Sequence, residues 1–160
     1  MQKLTNAFRD FYTSYDLLNK LCWNNFLPPC QLGFSKRMHR AWAIAQSDYR
    51  IRFNAPLCAQ TTDVHILMIM AHEMTHIHQY CTGIPAGHCR NFYAEMERIG
   101  ISGKTVMSAK EQSAFSYAIF MYCLKNIKLS QSIRLINSSN VDKITEIKMF
   151  NQMKEEFLCR

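Results

Sequence analysis

Thr62-Asp63-Val64-His65-Ile66-Leu67-Met68-Ile69-Met70-Ala71-His72-Glu73-Met74-Thr75-His76 reads as most of one long helix. The pattern predicts helix from about Thr62 to Tyr80, with Thr61, Thr62 and Asp63 offering capping oxygens. Apolar residues fall nearly all round from Ile66 to Met70, and a helix apolar on most sides belongs inside its domain. His72 and His76, four residues apart, share one helical face and can reach one ion. Glu73 lies one step round, close enough to hold a water on that ion without being a ligand. This is the HExxH pattern, in which a Lewis acid works beside a general base, and it implies zinc-dependent peptide hydrolysis.

Two histidines leave a tetrahedral catalytic ion one protein ligand short. Gln79 and Thr82 stand where a metzincin would carry glycine and a third histidine. Glu95 or Glu97, on a following helix, could supply a carboxylate ligand. His88 is the other donor, at a helix start after the loop Gly83-Ile84-Pro85-Ala86-Gly87. The eleven residues between His76 and His88 are enough for the chain to return. His65, two turns before His72, and His78, two residues past His76, read as structural. Tyr80 and Tyr93 are candidates to stabilise an oxyanion. Met68, Met70, Met74 and Met96 read as core.

Working outward, Leu4, Phe8, Phe11, Tyr15, Leu18 and Cys22 recur at helical steps and predict a first amphipathic helix, ended by Leu27-Pro28-Pro29. Three short strands are expected at Cys30 to Phe34, Arg40 to Ala45 and Tyr49 to Phe53, with Ser47-Asp48 as a hairpin turn. After the long helix, a short one is expected from Cys89 to Ile99, stopped by Gly100. Ser108-Ala109-Lys110-Glu111 is a capping box opening a helix to about Lys125, and Asn140 or Asp142 starts a last helix to about Leu158. The expected fold is α+β, a small three-stranded antiparallel sheet packed against helices, with a central zincin-like helix and a helical C-terminal extension. Residues 1–107 would form the core, with the helices of 108–160 packed on the same domain.

The 160 residues suit one domain, and 48% hydrophobic with 19% charged residues excludes disordered and low-complexity classes. Seven scattered cysteines form no CxxC pair, so neither a disulfide framework nor a zinc ribbon is written here. With no membrane-length apolar run, the chain reads as intracellular, cytoplasmic or, in a eukaryote, nuclear. The net charge of +7 points to an anionic partner. Residues 1–60 hold eight Lys and Arg against three acids, residues 108–160 eight against five, and the middle three against four. Lys36, Arg37, Arg40, Arg50 and Arg52, with Trp42 and Tyr49 among them, are the candidate nucleic-acid contacts, Trp42 or Tyr49 by stacking on an unpaired base of single-stranded DNA.

These residues together resemble the SprT-like metallopeptidases. The likeness runs through Leu27-Pro28-Pro29, Phe34-Ser35-Lys36-Arg37-Met38 and Ile51-Arg52-Phe53-Asn54 to the HExxH residues. It continues through His88, with Phe92, Met96, Arg98 and Ile99 after it, and spans about residues 4 to 103. The resemblance implies one Zn2+ held by His72, His76 and His88, Glu73 as catalytic base, and protein substrates that can be bound to DNA. Cys89 stands where that family usually has glycine. The other reading is a zinc-containing module that binds nucleic acid or protein without cleaving it, in which an intact Glu73 would have no purpose.

Overall fold

The periodic apolar positions of the N-terminal segment form α1 (Gln2–Trp23), burying Phe8, Phe11, Tyr15 and Leu18 on one side. The computed structural model describes residues 1–101 and 127–158. Helix α1 stops at Trp23, before the two prolines expected to end it. Asn24 and Asn25 adopt left-handed conformations (φ 51° and 64°), which asparagine tolerates better than most residues. The buried Asn19 side chain then closes the turn, donating to the Leu27 carbonyl at 2.9 Å and accepting from its N–H at 3.0 Å.

Three strands follow, β1 (Gln31–Ser35), β2 (Ala43–Gln46) and β3 (Arg50–Asn54), in the order β1-β3-β2. The sheet is mixed, correcting the antiparallel arrangement expected from the sequence: β2 pairs antiparallel with β3, but β1 pairs parallel with it. The cause is the connection 36–42, which steps past the end of β3 and delivers β2 to its far side. Asn54 fixes that crossover, its amide donating to the carbonyls of Met38 (3.2 Å) and Ala41 (3.0 Å). Tyr49, at φ 63°, turns the β2–β3 hairpin.

Strand alternation gives the sheet two faces. Leu32, Phe34, Ile51 and Phe53 turn toward α1, where Phe11 meets Phe34 and Phe53 edge-on at 4.9 and 5.3 Å. Asn54 then caps the short α2 (Ala55–Cys58). The long helix is α3 (Asp63–Thr82), buried from Ile66 through Thr75. It is followed by α4 (Arg90–Arg98). The predicted helix from Ser108 to Lys125 lies outside the described residues.

Helix α5 (Leu129–Ser138) has no counterpart in the sequence-based expectation, although Leu129, Ser132, Ile133 and Ile136 form its buried stripe. It docks through polar contacts at both neighbours: Ser132 donates to Asp10 of α1 at 2.7 Å, and the Ser130 N–H to Asp63 of α3 at 2.7 Å. The last helix, α6 (Lys143–Met153), begins at Asp142, which accepts from the Thr145 N–H, and runs into a π-helical turn, Lys154–Leu158. Among the described residues, no helix is long and apolar enough to cross a membrane.

Helix α6 covers the second face of the sheet through one carboxylate. Glu146, 2% exposed, accepts from the Phe34 N–H at 2.8 Å and pairs with Arg52 at 3.4 Å. It reaches β1 because Gly33 has no side chain: a Cβ there would collide with the Glu146 carboxylate and lie 2.8 Å from the Arg52 guanidinium. Replacing Glu146 with Ala leaves a buried N–H and a guanidinium unmatched and should cost about 2 kcal/mol. Ile147→Ala, at a half-exposed neighbour, should cost under about 0.5 kcal/mol. Urea unfolding checks both, and equal effects would contradict the role given to Glu146.

Candidate metal centre

Helix α3 opens at Thr62, whose hydroxyl accepts from the His65 N–H at 3.2 Å, and closes at Gly83 (φ 71°). Between these caps His72 is almost fully buried and His76 half-buried. The chain reverses through Pro85 and Gly87 and brings back His88, whose Nε2 lies 3.1 Å from His72 Nε2 and 3.2 Å from His76 Nε2. Nitrogens so close need a shared proton or a cation between them. Two ligands 2.0–2.1 Å from a tetrahedral ion are about 3.3 Å apart, so the spacing fits one bound metal. The three histidines can hold a metal ion. Phe92, fully buried on α4, floors the cluster with its ring 4.5–4.9 Å from all three imidazoles.

Burial lowers the pKa of His76, outweighing the opposite pull of its hydrogen bond to Gln79, which keeps the ring neutral and able to bind metal. That hydrogen bond joins His76 Nδ1 to Gln79 Oε1 at 2.8 Å. Gln79 is itself 2% exposed and bonds back to the loop, donating to the carbonyls of Gly87 (3.0 Å) and Pro85 (3.3 Å). Sequence reasoning passed over Gln79 except as a missing glycine; its one signal was a polar residue three steps past His76, on the same helical face.

Glu73 is 5% exposed. Burial pushes its carboxyl up to about 8, with the backbone of Ala45 pulling weakly the other way. The same Ala45 offers its carbonyl to the Tyr80 hydroxyl at 3.5 Å. Trp42, Ile44 and Gln46 face β3 with their main-chain groups, as the Asn54 N–H to Trp42 carbonyl bond shows, so Ala43 and Ala45 present theirs at the free edge. That edge forms one wall of a groove of about 620 Å³, opposite His72, Glu73, His76, Tyr80 and His88.

The other sequence candidates lie elsewhere. Glu95 accepts from the Trp23 indole at 3.1 Å and pairs with Arg98, and Glu97 is exposed. His65 contacts Thr61 and packs edge-on against Trp42, while His78 sits against Phe26. Tyr93 is half-exposed, its ring 6.5 Å from that of His88. The Cys89 thiol contacts Gln79 and the Pro85 carbonyl, and the described cysteines are free. The basic candidates divide among three places. Lys36, Arg37 and Arg52 line a cleft against α6, Arg40 and Trp42 line the metal groove, and Arg50 pairs with Asp48 at 2.6 Å.

Metal titration against a chromophoric chelator should find one site per chain. His88→Ala should weaken it steeply and Glu95→Ala should leave it unchanged; the reverse would assign the third ligand to α4. A second outcome concerns the metal-free protein. The folded-state pKa of Glu73 lies above its unfolded value, so its contribution to stability is complete below about pH 4.5 and is lost as pH rises through about 8. Metal-free Glu73→Gln should therefore match the parent at pH 4.5 and exceed it by about 2–4 kcal/mol at pH 9. Thermal melts at both pH values check this, and a gap that does not grow with pH would contradict it.

The family model described as SprT-like matches residues 11–112, more than half of the chain. Neither the curated proteins nor the solved structures returned a match. The matched span takes in the whole sheet, α3, the returning loop and α4, and so every residue of the histidine cluster and its floor. The chain belongs to the SprT-like family, a family of metallopeptidase-type domains.

Proposed function

We propose that this chain is a zinc-dependent endopeptidase, with His72, His76 and His88 as the zinc ligands and Glu73 as the general base. The observation that carries the reading is the meeting, in one groove, of three imidazole nitrogens, a buried carboxyl and an open strand edge. Three nitrogen donors leave the fourth tetrahedral position to water or substrate, the mark of a catalytic rather than a structural zinc site. Zinc held there supplies Lewis acidity, polarising a water and the scissile carbonyl. Every other part falls to the chain itself.

Glu73 takes the proton of the attacking water and delivers it to the departing amine. Its carboxyl shares the groove lining with Ala45, so base and strand edge lie side by side. A peptide lying extended along β2 meets the outward N–H and carbonyl of Ala43, which have no partner among the described residues. Tyr80, across the groove from that edge, is a hydroxyl donor that lines it and can turn to an oxyanion. A binding module would have no use for a buried carboxyl beside His72.

The protein substrate is proposed to be held on DNA, and one observation favours this. The cleft of about 610 Å³ between β1 and α6 is lined by Lys36, Arg37, Arg52 and Lys143. Its carboxylates are already engaged, Glu146 by Arg52 and the Phe34 N–H, and Asp142 by Thr145. Arg37 and Lys143, together with Lys36, whose ammonium also donates to the Ser139 carbonyl at 3.1 Å, pair with no carboxylate among the described residues and can meet phosphates.

Glu73→Gln should keep zinc and fold yet lose hydrolysis of an unfolded protein substrate by at least about a thousandfold; zinc-loaded protein retaining that activity would defeat the mechanism. Alanine at Lys36, Arg37 and Lys143 together should lower the slope of log affinity for single-stranded DNA against log salt by about two. Unchanged slope, or no binding by the parent at low salt, would remove DNA from the reading and leave the peptidase standing.

A further inference from the structure

His76 and His88 belong to different segments, yet one buried side chain touches the surroundings of both. Gln79 accepts from the Gly87 N–H at 3.3 Å and donates to the Gly87 carbonyl at 3.0 Å and the Pro85 carbonyl at 3.3 Å. Its Oε1 also lies 2.8 Å from His76 Nδ1. Glutamine oxygen and nitrogen look alike in shape, so their partners must decide which is which. Here the partners are main-chain groups with no choice: two carbonyls only accept, and one N–H only donates. Nε2 must therefore face the carbonyls and Oε1 the N–H.

That orientation has a consequence for the imidazole. An amide oxygen cannot donate, so the proton between Oε1 and His76 Nδ1 sits on the histidine. A neutral imidazole protonated at Nδ1 has its lone pair at Nε2, the nitrogen facing His88. The loop backbone thus selects, through one amide, the tautomer of His76 that can bind metal. The same amide holds both main-chain groups of Gly87, the residue just before His88, at a backbone conformation (φ 121°) that residues with side chains rarely adopt. At 2% exposure no bulk water replaces these bonds.

We infer that Gln79 is a positioning residue that sets the His76 tautomer and ties the third ligand's loop to the helix carrying the first two. The inference rests on the zinc-peptidase reading for its purpose, but its central claim concerns metal-free protein. Two substitutions separate its halves. Gln79→Glu keeps an acceptor for His76 Nδ1–H and the Gly87 N–H but loses both donations to carbonyls. Gln79→Leu loses everything.

The test combines long-range proton–nitrogen correlation on metal-free protein with zinc affinity from chelator competition. In the parent, His76 should be protonated at Nδ1; a majority of the Nε2–H form would overturn the inference without any variant. Gln79→Glu should keep the Nδ1–H form and bind zinc within about tenfold of the parent. Gln79→Leu should lose the tautomer preference and bind zinc about 10- to 100-fold more weakly. Gln79→Leu with parental tautomer and parental affinity would overturn the inference. If Gln79→Leu does not fold, the parent and Gln79→Glu spectra decide alone. A parent that binds no zinc defeats the proposed function, while its His76 tautomer still judges Gln79.

Discussion

A helix that is apolar on nearly every side has to be surrounded, and α3 imposes that requirement on the rest of the chain. From Ile66 to Thr75 it is buried without interruption, so α1, the sheet, α4 and α5 each take up part of its surface. Within that buried stretch lie the polar His72 and Glu73, with half-buried His76 one residue beyond it. The fold leaves these three side chains against the edge of β2, where the sheet ends and a groove begins. The candidate site is therefore shaped by packing: polar side chains of α3 are buried with its aliphatic ones and reach the groove only at the edge of β2. Glu73 bears the cost of desolvation, because it is held almost as deep as the aliphatic residues one turn before it.

The site was legible in the sequence to a greater extent than the fold. His72, Glu73 and His76 are fixed by helical periodicity alone, and the return of His88 needed only a loop long enough to close. The strands were placed within a few residues because alternation is local, as in Arg50-Ile51-Arg52-Phe53. Their pairing was not, because it depends on where the 36–42 crossover goes, and Asn54 settles that through carbonyls 13 and 16 residues away. Helix α5 was missed for a related reason. Its stripe is short and broken by Ser132, whose hydroxyl is explained only by Asp10, far off in the chain.

The charge pattern changed meaning once folded. Arg50 and Arg52 read as two bare cations on one strand face, but each meets a carboxylate that sequence distance hides or local turning supplies. Asp48 is two residues from Arg50, whereas Glu146 is 94 residues from Arg52. Net positive charge thus survives around Lys36, Arg37 and Lys143, which form no ion pair with the carboxylates lining their cleft, and not where the linear cluster is densest. Counting cations along a chain finds a surplus; only the fold says which of them are spent.

The free edge of β2 is four residues long, and the main-chain groups it turns outward belong to Ala43 and Ala45. The Ala45 carbonyl already accepts from Tyr80 at 3.5 Å and its N–H lies beside the buried Glu73, so among the described residues few main-chain groups are left for an extended segment. At about 1 kcal/mol for each hydrogen bond, such a rail can orient an extended segment but cannot retain it. The same shortness denies a template to the strands of neighbouring copies, so a sheet edge that must stay open does not become a seed for aggregation. Grip on any extended segment has to come from side chains along the groove, and a shorter segment, reaching fewer of them, is held more weakly.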